Sequence, residues 1–117
     1  MTHPVHVTGP AAAEVDAAAA WIHARNPDAA QRWYWGLLAA IEDLGVFPER
    51  CPVARSESRH FGVMIRQLVY GKGVGRYRIL YTVTDDLVVV LHVRHGRRRR
   101  FGESPAAGED PSGGAAD

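Results

Sequence analysis

The sequence predicts an α+β domain in which a two-helix antiparallel hairpin packs on an antiparallel sheet. Two observations carry this prediction: apolar residues recur at helical spacing over residues 11–45, and their period changes to two over residues 63–94. The chain has 117 residues, of which 46% are hydrophobic, so it supports one globular domain and no second core. We expect this domain to occupy residues 1–101 and a disordered acidic tail to follow over residues 102–117.

The two predicted helices have recognisable start signals. Pro10 is of a type well tolerated at the start of a helix, and residues 11–25 directly after it are predicted to be helical. Asn26 is a suitable N-cap, and Pro27 a suitable first residue, for a second helix that ends near Gly45. Helices joined this tightly form an antiparallel hairpin.

The predicted strands surround a long irregular segment. Residues 46–61 show no periodicity and contain two prolines, which predicts a loop. Alternating segments on either side predict a short N-terminal edge strand and a three-stranded antiparallel meander at the end of the sheet. These strands are residues 5–8, 63–70, 76–84 and 87–94.

Charge is unevenly distributed along the chain. The whole sequence has 14 Lys+Arg against 13 Asp+Glu, but residues 51–102 hold eleven of the basic side chains and three of the acidic ones. Such a concentrated positive field attracts polyanions or acidic proteins.

The alternation sorts the side chains of the meander by face. We expect Tyr77, Ile79 and Tyr81 to share one face, and Val88 and Val90 to lie on the same face as the basic residues of the last strand. An open basic face opposite the hairpin would suit phosphate contact, stabilisation of negative charge or an acidic protein segment. An ordinary solvated sheet surface is the alternative. The candidate functional residues of this face are Arg66, Arg76, Arg78, His92, Arg94 and Arg97.

Two further features have both a functional and a structural interpretation. His95 could act as a general acid or base because the pKa of histidine lies near neutral pH, although most isolated histidines are not catalytic. The glycine-rich residues 71–75 join two strands, so a hairpin turn fits them better than a phosphate loop.

Several classes of protein are excluded or disfavoured. The one cysteine, Cys51, excludes a disulfide within the chain, and the histidine spacing is unlike that of a metal site, so we expect no metal and no cofactor. No apolar run is long enough to span a membrane, and the first residues lack the regions of a signal peptide. We therefore expect a cytoplasmic protein.

Five segments carry a resemblance to a known family. Their order and spacing resemble the RelE/ParE superfamily of type II toxins, and the ParE branch most closely. The resemblance covers about residues 5 to 100. In chain order the segments are Asn26-Pro27-Asp28-Ala29-Ala30-Gln31-Arg32, residues 44–48, Ile65-Arg66-Gln67-Leu68, residues 75–81 and residues 90–98.

The resemblance implies a small toxin that a cognate antitoxin neutralises by wrapping a C-terminal segment over it. ParE-like members inhibit DNA gyrase, whereas RelE-like members cleave mRNA on the ribosome without a metal. Two positions depart from the RelE pattern: Met64 replaces a lysine, and Phe101 is the only aromatic residue after Tyr81, so the stacking tyrosine is absent.

We therefore expect a ParE-like toxin that inhibits DNA gyrase by binding. One alternative is a RelE-like endoribonuclease, in which the resemblance makes Arg66, Arg78 and Arg98 catalytic, with His95 as a further candidate. The other is a non-toxic member that only binds antitoxin.

Overall fold

The computed structural model describes residues 2–98, 100 and 101, and it has the α+β architecture predicted from the sequence. The predicted tail lies outside the described residues. Single 3-10 turns lie at Pro48–Arg50 and Gly73–Gly75. The helices and strands are β1 (Val5–Val7), α1 (Gly9–His23), α2 (Pro27–Asp43), α3 (Arg55–Phe61), β2 (Arg66–Tyr70), β3 (Tyr77–Thr84) and β4 (Leu87–His95).

The helix hairpin begins at side-chain caps. The Thr8 hydroxyl accepts a hydrogen bond from the Ala11 N–H at 3.3 Å, so α1 starts two residues before the predicted position. The Asn26 side chain caps α2 as predicted, accepting from the Ala29 N–H at 3.1 Å. The Asn26 cap lies at the sharp reversal that lays α1 and α2 against each other.

The sheet has the strand order β1-β4-β3-β2. Strands β2, β3 and β4 form the predicted antiparallel meander, and β1 extends it by pairing in parallel with β4. The hairpin covers one face of this sheet, and the main core lies between them. Its buried residues include Val15, Leu37, Ile41, Leu44, Ile79, Tyr81, Val88 and Val90.

A bulge changes which β4 side chains face the hairpin. Tyr81 lies opposite Val90 but Leu80 lies opposite His92, so one extra β4 residue enters the ladder between them. Val88 and Val90 therefore join the hairpin core while His92 lies on the other face. The prediction that Val88 and Val90 share a face with His92 is wrong, because the alternation of side chains between the two faces is interrupted at a bulge.

The segment between α2 and β2 is not the long loop that the sequence predicts. It contains the turn at Pro48–Arg50 and the helix α3, and between them the chain follows the outer edge of β2. There the Gln67 N–H donates to the Pro52 carbonyl at 3.0 Å, and the Ala54 N–H donates to the Ile65 carbonyl at 2.8 Å. The chain thus protects the strand edge and crosses to the face opposite the hairpin.

Candidate functional site

Helix α3 buries a carboxylate against the sheet on the face opposite the hairpin. Glu57 is fully buried, and its Oε2 lies 2.9 Å from Nη2 of Arg78, which is 5% exposed. The Nε of Arg78 also donates to the Gln67 side chain at 2.8 Å. The expected open basic face is therefore wrong at its centre, because α3 covers it and Glu57 neutralises its arginine.

The chain after β4 closes over the same pair. The backbone N–H of Phe101 donates to Glu57 at 3.1 Å, and its carbonyl accepts from the Ser56 hydroxyl. The centres of the Phe101 and Phe61 rings lie 5.0 Å apart. The guanidinium carbon of Arg94 lies 3.9 Å from the centre of the Phe101 ring. Arg94 therefore packs on an aromatic ring and is 9% exposed.

His92 contacts helix α1 from the edge of the sheet. Its Nδ1 lies 3.1 Å from the Glu14 carboxylate, which also accepts from the Val93 N–H at 2.9 Å. The Glu14 carboxylate thus pairs with the edge of β4 beyond the point where its pairing with β1 ends. His92 also lies 4.7 Å from Phe101, ring centre to ring centre.

Arg66 lies on the hairpin face, away from Arg78. In the β2–β3 ladder Arg66 pairs with Tyr81, whereas Arg78 pairs with Val69, an odd number of residues further along β2. The guanidinium of Arg66 donates to the carbonyls of Cys51 at 2.7 Å and Glu49 at 3.0 Å. The expectation that Arg66 and Arg78 share a face is therefore wrong.

Three other candidate residues meet at one end of the sheet. Arg76, His95 and Arg97 line a pocket of about 200 Å³, together with Gly73 and Gly96. The His95 ring packs edge-on against Tyr77 at 5.2 Å, and its Nδ1 accepts the Arg97 N–H at 3.1 Å. Arg98 continues the turn, its N–H donating to the His95 carbonyl at 3.0 Å.

The helix hairpin carries a second cavity, which the sequence did not reveal. It measures about 300 Å³ and lies between the end of α1 and the start of α2. An alanine-rich stripe gives a sequence signal for close helix packing but none for a groove. Nearby on α2, the Trp35 side chain is 65% exposed. The groove is lined by Ala19, Ala20, His23, Pro27, Ala30, Gln31 and Tyr34.

Over the described part of the chain, no three His, Cys, Asp or Glu side chains form a group that could hold a metal ion. None of the helices described there combines the length and apolar character needed to cross a membrane.

The fold and a family comparison define the class of protein. A helix hairpin on an antiparallel meander with a basic end is the arrangement that the resemblance to type II toxins implies. A family model described as the ParE toxin of the type II toxin-antitoxin system parDE matches residues 5–100, which include every described helix and strand. The chain belongs to this ParE toxin family. The family implies a toxin role and an antitoxin partner. A search of curated proteins found no match.

We expect Glu57→Gln to destabilise the fold by about 3–5 kcal/mol, because it removes the carboxylate charge that lies 2.9 Å from the buried Arg78 guanidinium. Urea denaturation measures this, with Arg59→Gln as the control, since Arg59 is exposed on the same helix. Adding Arg78→Met to Glu57→Gln should restore part of the loss, because the pair is then uncharged. Equal stability of Glu57→Gln and Arg59→Gln would contradict the structural role of the pair.

Proposed function

We propose that this protein arrests growth by binding DNA gyrase, and that its cognate antitoxin neutralises it by covering its surface. The family membership supports a toxin, and one observation favours binding over catalysis: the arginines required by the rival enzyme are held apart. Arg66 is bonded to backbone carbonyls on one face of the sheet, and Arg78 is buried against Glu57 on the other.

Cleavage of mRNA requires basic side chains that reach one phosphate together. A group that moves a proton or stabilises developing charge must lie within hydrogen-bond distance of the reacting atoms. Arg78 is 5% exposed and lies under α3 and Phe101. An mRNA strand therefore cannot reach its guanidinium group. The chain also has Met64 where the RelE pattern has a lysine, and it lacks the stacking tyrosine. Together these features support an endoribonuclease poorly.

The groove on the helix hairpin supports the antitoxin part of the proposal. Its lining is mostly apolar, and the exposed Trp35 lies on one of its two helices. Such a surface suits the apolar face of a partner helix, in which residues at positions i, i+3 and i+7 act as anchors. An interface of roughly 1,600 Å² would be typical of a stable complex. Gyrase as the target makes the cytoplasm the site of action.

The gyrase target is tested with purified components. The folded protein should inhibit supercoiling of relaxed plasmid by gyrase and increase gyrase-linked cleaved DNA, because the proposed toxin acts on the enzyme itself. Mixing the toxin with its antitoxin before gyrase is added should prevent the inhibition of supercoiling. Unchanged gyrase activity, together with new mRNA 5′ ends inside translated codons after induction, would support the endoribonuclease instead. Harmless induction without antitoxin would indicate a non-toxic member.

We expect Ala20→Glu to weaken antitoxin binding at least tenfold and leave gyrase inhibition intact. Ala20 is an exposed residue that lines the hairpin groove, so a carboxylate there would be buried without a partner in the complex. Ala39→Glu is the matched control, because Ala39 is exposed on α2 outside the groove lining. Titration calorimetry measures the antitoxin affinity of both variants, and the supercoiling assay measures their inhibition of gyrase. Equal affinities for the two variants would place the antitoxin elsewhere.

A further inference from the structure

The pocket at the end of the sheet is a built cavity with cationic walls. The Gly96 N–H donates to the Arg76 carbonyl at 2.7 Å, which holds the end of β4 against the residue that precedes β3. A Cβ at Gly96 would lie 3.2 Å from that carbonyl oxygen, so a glycine permits this close approach. The cavity of about 200 Å³ is several times the ~30 Å³ that one water occupies in the liquid.

The charge of this pocket has no acidic neighbour along its strands. Between residues 58 and 101 the acidic side chains are Asp85 and Asp86. They form the turn at the far end of β3, at least nine residues from Arg76, a distance of about 30 Å at strand spacing. Glu57, the nearest acid that precedes this range in the sequence, is buried against Arg78. Among the described residues, no ion pair involves Arg76 or Arg97.

We propose that this pocket binds a backbone phosphate of a nucleic acid. Arginine presents a planar set of hydrogen-bond donors that match phosphate oxygens. Both arginines that line the pocket, Arg76 and Arg97, are exposed to solvent. Further cations, Lys72 and Arg98, flank the pocket in sequence on the two chain segments that form it. Successive cations suit a polymer of phosphates better than a single free ion.

The pocket lining also disfavours a peptide. An acidic protein segment binds with apolar anchors as well as charge. The lining residues are two glycines, two arginines and a histidine, and none of the exposed large apolar side chains among the described residues lines the cavity. A carboxylate-bearing partner would therefore gain little beyond the charge contact.

Salt-dependent DNA binding tests the proposal. The full-length protein is titrated into a fluorescent 20-base-pair duplex, and the affinity is measured by anisotropy from 50 to 200 mM salt. Arg76→Gln and Arg97→Gln should each weaken binding several-fold and reduce the slope of log K against log salt by about one, since each removes one phosphate contact. The control Arg59→Gln removes an exposed arginine from α3 and should change neither quantity. Thermal melts confirm that the variants remain folded.

Each other outcome overturns the proposal. Losses no larger than that of Arg59→Gln would show that the pocket does not bind the duplex. If inorganic phosphate shifts the Gly96 amide resonance while both pocket variants bind DNA normally, the pocket binds a free anion instead. Loss of antitoxin affinity with unchanged DNA affinity would assign it to a protein carboxylate. The assay contains no gyrase, so its result is independent of the proposed target.

Discussion

The arrangement of this protein depends on one carboxylate that is removed from water. Burial of an ionised side chain is costly unless a counter-charge and hydrogen bonds replace its hydration. Glu57 receives both, from Arg78 at 2.9 Å and from the Phe101 N–H at 3.1 Å. Because these partners come from β3 and from the segment after β4, the carboxylate joins α3, the sheet and the end of the domain.

This constraint divides the arginines into two groups. Arg66, Arg78 and Arg94 are held by carbonyls, a carboxylate and an aromatic ring, so they stabilise the fold. Arg76 and Arg97 are exposed around a cavity at the end of the sheet. The arginines that the composition assigns to one basic surface thus have two roles, and those exposed to a partner at the end of the sheet are Arg76 and Arg97.

The sequence predicted the elements that have local signals. Asn26 and Pro27 mark the helix junction, and alternation marks the strands, so the hairpin and the meander were predicted close to their observed bounds. Helix α3 was missed because its fully buried residue is a glutamate, which gives no apolar periodicity over seven residues. The face of Arg66 depends on the β2–β3 register, which a flexible glycine turn leaves unspecified in sequence. Function at the predicted site residues stays a prediction.

We infer from its burial against Glu57 that Arg78 stabilises the fold and takes no part in toxicity. The most direct measurement is growth arrest after induction of the double variant Glu57→Gln/Arg78→Met, compared with the wild type at equal levels of soluble, folded protein. We expect the same arrest, because the uncharged pair still packs α3 on the sheet. If the double variant is folded, as shown by its thermal melt, and yet harmless, then Arg78 takes part in toxicity.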